Sequence, residues 1–243
     1  MYTIQQVMAE VNAHKTLIVM LAFTTYGFGF LQYFTSMYMQ VKHKQCPFYF
    51  WQHCWYFGHD ITFSLLFAQW FFKIDFWLFK VLCIGCMIFV VIEIFSLYQS
   101  VRNERNEIWG KYYKDGNVSE KTGWVRGIAG YIIGAVLFMT IRLAIGDVMC
   151  LVLMMSTNAT LAIVTQFRLE EIGFRQKGII PLTWFTLLGT ILTFSPPGIG
   201  FFATAVPILN STWFYVLGGV SVLCAMRYLI VAYRLPKQQN LLS

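Results

Sequence analysis

Phe76-Trp77-Leu78-Phe79-Lys80-Val81-Leu82-Cys83-Ile84-Gly85-Cys86-Met87-Ile88-Phe89-Val90-Val91-Ile92-Glu93-Ile94-Phe95-Ser96-Leu97-Tyr98-Gln99 holds only two charges, Lys80 near its start and Glu93 towards its end. As a helix this stretch rises about 36 Å at about 1.5 Å per residue, more than the roughly 30 Å hydrocarbon core of a bilayer. A helix apolar on every face is buried in a large core or in lipid, so the stretch is predicted to cross a membrane. The same pattern recurs on both sides of it. Upstream, the break Lys73-Ile74-Asp75 separates it from a second apolar run at 47–72. The basic turn Lys42-His43-Lys44 separates that run from the first, at 16–39. Downstream comes the one long polar segment, 101–126, with the turn signal Asp115-Gly116-Asn117. It is expected as a solvated loop or short surface helix. Four more runs follow, at 127–141, 148–167, 179–194 and 212–233.

The separators differ in strength. Only 142–147 divides the fourth run from the fifth, whereas the polar loop 168–177 follows the fifth. Ser195-Pro196-Pro197-Gly198 stops the sixth, because proline donates no hydrogen bond to a helix ladder. Residues 201–205 are expected to dip into the membrane edge. Residues 1–15 are polar, and the first apolar run is long enough to span, so no cleavable signal peptide is expected.

Composition agrees with this reading. Of the 243 residues, 58% are hydrophobic and 12% charged, with mean hydropathy +0.59. Soluble domains carry roughly 25% charged residues. The net charge of +7 does not mark a nucleic-acid binder, because the basic residues sit between apolar runs rather than on one soluble face. With seven spans, 13 of the 18 Lys and Arg fall on one side: Lys42, Lys44, Arg102, Arg105, Lys111, Lys114, Lys121, Arg126, Arg168, Arg175, Lys177, Arg234 and Lys237. The positive-inside rule puts that side in the cytoplasm. The expected fold is therefore all-α: one multi-pass bundle over 1–243 with seven transmembrane helices, N-terminus outside and C-terminus cytoplasmic. The membrane is of the plasma or endoplasmic-reticulum type. No matched pair of broken segments marks an inverted-repeat transporter.

The second run carries the chemistry: Phe48-Tyr49-Phe50-Trp51-Gln52-His53-Cys54-Trp55-Tyr56-Phe57-Gly58-His59-Asp60-Ile61-Thr62. Gln52, Tyr56 and Asp60 lie four apart and share a helix face; His53 is near that stripe and His59 on its flank. A carboxylate in lipid costs several kcal/mol, so Asp60 is expected to point into the bundle. In a dry hollow the protonated acid is favoured, and that form donates protons at neutral pH. Tyr56, His53 and His59 would relay or orient the proton. The alternative is a polar cluster that glues helices together. Glu93 is a second intramembrane acid, expected to pair with Arg227 or a basic loop residue. Arg142 and Asp147 form a loop pair, or else close the outer mouth of a cavity with Asp147 as a further acid. Arg227 snorkels or binds an anion. Asn158 packs against a neighbouring helix or lines the cavity. Trp51, Trp55 and Phe63 are candidate aromatic walls, able to stabilise a cation through their ring quadrupole. Gly130-x-x-x-Gly134 reads as close helix packing. Cys83-x-x-Cys86 reads as two small residues on a membrane helix, and no His/Cys set has metal-ligand spacing. Asn210-Ser211-Thr212 is a glycosylation sequon on the outer side.

The layout resembles the small seven-helix integral membrane terpene cyclases of fungal meroterpenoid and indole-diterpene pathways and their bacterial relatives. Gly29-Phe30-Leu31-Gln32-Tyr33, Met37-Tyr38, the basic turn and the stretch from Pro47 to Trp55 carry the similarity, which covers the whole topology. That family places a Trp-Glu pair in the second helix, where the Glu helps protonate an epoxide or alkene, and a second acid in the last helix. Here Tyr56 follows Trp55, and the nearest acid is Asp60, one turn further along the same face. The last helix, at Cys224-Ala225-Met226-Arg227-Tyr228, has no acid, so Asp147 or Glu93 would supply the second carboxylate. The resemblance implies acid-initiated cyclisation or isomerisation of an isoprenoid. Asp60 would be the general acid, and Gln52, Arg142 and Asn158 would join the aromatic residues around the substrate. No metal or organic cofactor is needed, and the partners are the bilayer and the lipid-like substrate. The competing reading is a proton-coupled transporter of a small solute, with Asp60 and the histidines as its site.

Overall fold

The computed structural model describes residues 2–237. Among them it is all-helical, with no strand. The helices are α1 (Ile4–Ala13), α2 (Lys15–His43), α3 (Phe50–Leu65), α4 (Trp77–Gln99), α5 (Arg105–Trp109), α6 (Glu120–Ala144), α7 (Leu151–Ile172), α8 (Ile179–Thr193), α9 (Phe201–Ala205) and α10 (Thr212–Arg234). Among the described residues, four helices are long and apolar enough to cross a membrane: α2, the helix running Trp77–Tyr112, α6 and α10. α8 is a shorter apolar helix.

Each apolar run becomes a helix, and the differences lie at their ends. The polar N-terminus forms α1 because Thr3 and Gln6 make a reciprocal cap: Thr3 N–H donates to Gln6 Oε1 at 2.8 Å and Gln6 N–H to Thr3 Oγ1 at 3.2 Å. Val7 and Val11, four apart, are its buried face. The second run is regular only as far as Leu65, and a π-helical turn follows at Gln69–Lys73. The long polar segment is less of a loop than expected. The helix continues beyond Gln99 through a π-helical turn at Ser100–Glu104 into α5, and α6 begins at Glu120. Between them, Arg105 Nε donates to the Val118 carbonyl at 2.9 Å and Val118 N–H to Asn106 Oδ1 at 2.9 Å, so two side chains fix the connection.

The chain divides into two compact units, with boundaries inside α2 and α6. One unit comprises residues up to Met39 and from Arg142 onward. Here α10 packs on both α7 and α8, burying Ala225, Ala162 and Leu187. Gln32 of α2 donates to the Phe185 carbonyl of α8 at 3.0 Å. A Cβ on Gly189 would lie 2.8 Å from Gln32 Nε2, so the glycine permits that approach. The Arg175 guanidinium binds the Ala232 and Tyr233 carbonyls at the C-terminal end of α10, where a cation complements the helix dipole. The five residues of α9, expected at the membrane edge, are all buried.

The other unit is Gln40–Ile141. α3 and α4 pack along one another, and α3 meets α6 through glycines. A Cβ on Gly58 would lie 2.6 Å from the Gly134 carbonyl oxygen, and one on Gly134 would collide with the Cys54 carbonyl. The Gly130-x-x-x-Gly134 pattern is thus a backbone contact. Gly134→Val is expected to destabilise the protein by about 1–3 kcal/mol through overpacking. Thermal unfolding in detergent measures this, with Gly219→Ala, where a Cβ meets nothing within 4 Å, as the control.

Candidate functional site

In the Gln40–Ile141 unit the first turn of α3 is closed by Gln52. Its Oε1 accepts from Tyr49 N–H at 2.9 Å and its Nε2 donates to the Tyr56 hydroxyl at 3.2 Å. The polar stripe expected on this helix is buried throughout: Gln52, His53, Tyr56, His59 and Asp60. Asp60 is only 1% exposed, and its Oδ1 lies 2.7 Å from His59 Nδ1. The other imidazole nitrogen, Nε2, is buried with no hydrogen-bond partner among the described residues. Around this ring stand Phe138, edge-on at 5.6 Å, and Phe63 at 6.2 Å. Phe63 is fully buried and stacks on Trp70 at 4.5 Å. A polar ring atom buried without a partner costs roughly 1–3 kcal/mol, which a ligand oxygen or nitrogen placed there would recover.

Glu93 does not bind Arg227 or a basic loop residue, as the sequence led us to expect. Its Oε2 lies 2.8 Å from His53 Nδ1 and accepts from the Tyr131 hydroxyl at 3.3 Å. Arg227 donates instead to Gln166 Oε1 at 2.8 Å and Glu170 Oε1 at 2.6 Å, both one helix away in its own unit. Charge alone suggested the Glu93–Arg227 pair, but each residue finds its partners within its own unit. His53 continues the chain of contacts: its Nε2 sits 3.0 Å from Cys46 Sγ. The sequence reading missed Cys46, because it precedes α3 and no helical period connects it to His53. Glu104 holds the turn by accepting from Cys46 N–H at 2.9 Å. Burial pushes the Cys46 thiol above its ordinary value, and the adjacent His53 pulls the other way.

The fold also brings together a set of candidate metal donors that no spacing in the sequence marks. Ligand atoms of His59, Asp60 and Cys86 lie within 4.8 Å of one another, all three residues buried. They come from two helices, so no spacing along the chain reveals them. Cys83, the other half of the C-x-x-C, lies 4.0 Å from the Phe63 carbonyl oxygen. None of the six cysteines is in a disulfide.

Trp51 and Trp55 do not share the buried face with Asp60. Trp51 is 49% exposed. Both line an open groove of about 550 Å³ together with Phe50, Tyr112, Arg126 and Leu137, and Asp60 is not part of its wall. Trp55 also packs on Phe138 at 4.8 Å.

Arg142, Asp147 and Asn158 belong to the other unit. An Arg142 guanidinium nitrogen donates to the Val148 carbonyl at 2.9 Å. Asp147 is buried where α7 begins: its carboxylate accepts from Leu151 N–H at 3.1 Å, from Leu153 N–H at 2.7 Å and from the Tyr2 hydroxyl. It satisfies the free amides of a helix start and pins the N-terminus. Asn158 Oδ1 accepts from Thr190 Oγ1 at 2.8 Å, a hydrogen bond between α7 and α8. Burial raises the Asp147 acid above its ordinary 3.8, although Tyr2 and the two amides act against this. The folded state therefore holds the proton to higher pH than the unfolded state. The stabilising contribution of this carboxyl is fullest below 3.8 and falls as pH rises through the raised folded value. Hydrogen exchange of the α1 amides is expected to slow as pH is lowered towards that range, after correction for intrinsic rates. Asp147→Asn should abolish the dependence, and Asp147→Ala should cost about 1–3 kcal/mol for each amide left unsatisfied.

Comparison with protein-family models, with curated proteins and with solved structures finds no match.

Proposed function

We propose that this protein is a seven-span membrane enzyme, N-terminus outside, that cyclises or isomerises an isoprenoid by protonating it from the His59–Asp60 pair. The segregation of basic residues supports the span count and orientation. The observation that carries the chemistry is a carboxyl 1% exposed, bonded to an imidazole whose other nitrogen is buried with no hydrogen-bond partner among the described residues. Asp60 gives its proton to an epoxide oxygen or alkene carbon. The resulting cation closes rings and then loses a proton, so the product is an isomer of the substrate. His59 orients the acid and returns the final proton to it. Phe63, Phe138 and Trp70 supply ring faces that stabilise positive charge, and the exclusion of water prevents its capture.

The test is incubation of the purified protein with a linear polyprenyl epoxide, with products separated by chromatography because mass alone does not distinguish isomers. A new peak of unchanged mass supports the reading; only unchanged epoxide or a hydrated diol opposes it.

One observation favours a second reading. The His59, Asp60 and Cys86 donors suit a soft divalent cation such as zinc. A ligated carboxylate is no proton donor, so the two readings exclude each other. Stoichiometric metal in the purified protein, lost on Cys86→Ser, would favour the metal site.

A further inference from the structure

Outside that pair, three more chemically competent groups line up in the Gln40–Ile141 unit. Cys46 Sγ is 3.0 Å from His53 Nε2, and His53 Nδ1 is 2.8 Å from Glu93 Oε2. A nucleophile, a base within hydrogen-bond reach and a third group orienting that base make up the geometric signature of an activated nucleophile. All three residues are buried, at 4%, 2% and 1% exposure. A structural cysteine requires none of this alignment.

Cys46 and His53 do not themselves line the neighbouring groove, but the α3 turn that carries His53 borders it, and the chemistry of that groove indicates the electrophile. Phe50 and Cys54, on the α3 turn that carries His53, form one wall of the open apolar groove of about 550 Å³. Gly130, Ile133, Gly134 and Leu137 continue it along α6, a stripe suited to an alkyl chain. Arg126 stands in the same groove wall, its guanidinium held 5.4 Å and 5.2 Å from the ring centres of Tyr112 and Tyr113. An apolar channel with a cation beside it complements an amphiphile with a long tail and a phosphate-bearing head.

We propose that Cys46 is a self-acylating thiol that takes a long-chain acyl group from a thioester with an anionic, phosphate-bearing leaving group. The Cys46 sulfur bonds to the acyl carbon as His53 Nε2 takes the thiol proton. The carbon–sulfur bond to the leaving group breaks, and His53 passes the proton to the departing thiolate. The products are an acyl-cysteine and a free thiol, with no oxidant or reductant involved. Glu93 is a positioning residue that holds the imidazole with Nε2 towards sulfur.

The test uses the full chain in detergent micelles with palmitoyl-coenzyme A as the probe, followed by peptide mass mapping and hydroxylamine release. Ranked by exposure alone, Cys224 should react first, because it is the one cysteine that is not buried. The expected result is a hydroxylamine-sensitive palmitoyl group on Cys46 ahead of the other five cysteines. His53→Gln should slow the reaction about a hundredfold. Glu93→Gln should shift the pH dependence of the rate. No adduct, modification that follows exposure, or a rate unchanged by His53→Gln in folded protein would each overturn the proposal. The competition among cysteines uses the unaltered protein, so it stands even if the variants fail to fold. It is independent of isoprenoid turnover.

Discussion

Asp60→Asn is expected to lower isoprenoid conversion by about a hundredfold or more, the usual range for losing a positioned general acid. The substitution keeps shape and hydrogen-bonding capacity, so the amount of folded protein in the membrane should change little. Asp60→Glu moves the acid by one methylene in a buried site and should retain part of the rate. His59→Gln removes the partner but leaves the carboxyl, so a smaller loss with an altered pH profile is expected. Rate measurements on these three variants, each checked by size-exclusion profile, separate proton donation from packing. Equal loss in all three, accompanied by aggregation, would indicate that the pair serves only to hold the helices.

The second large effect concerns stability. Glu93→Leu leaves His53 buried without its carboxylate, while Tyr131 keeps the main-chain carbonyl of residue 93 as its acceptor at 2.8 Å, and breaking one side of a buried pair costs about 3–5 kcal/mol. Domains are commonly stable by about 5–15 kcal/mol, so the variant should lose a large share of its stability margin. Glu93→Gln retains an acceptor oxygen and should cost less. The double variant His53→Phe, Glu93→Leu removes both polar groups and should recover much of the loss, because an apolar replacement of a whole buried pair is often near neutral. Midpoints of unfolding in a graded denaturant series measure all three. A double variant as unstable as the sum of the single losses would show that the pair is not an energetic unit.

The helices were legible in the sequence because hydrophobic runs need only length and composition. Apolar run 212–233 and α10 (Thr212–Arg234) differ by one residue at one end. α1 was missed although its Thr3-x-x-Gln6 cap is present in the sequence, because a polar segment of that length carries no hydrophobic-run signal. The polar segment read as a solvated loop or a short surface helix, and α5 is such a helix; its continuity with α4 was not expected, because Glu104, Arg105 and Asn106 spend their side chains on backbone groups rather than on solvent. The burial of Asp60, His59 and His53 followed from helical spacing. Their partners did not. Glu93 and Cys86 come from α4, Tyr131 from α6 and Cys46 from the turn before α3, and one-dimensional periodicity carries no information across helices. Asp147 read either as half of a loop pair with Arg142 or as a cavity acid, because the sequence does not reveal where α7 begins. The helix starts at Leu151, and the carboxylate serves its first amides.

The most direct measurement is extraction and chromatographic identification of the lipid that copurifies with the protein, compared between the unaltered chain and Asp60→Asn. The expected result is a linear isoprenoid retained by Asp60→Asn and a cyclised isomer of the same mass bound to the unaltered chain. The same lipid, unconverted, in both preparations would contradict proton donation by Asp60.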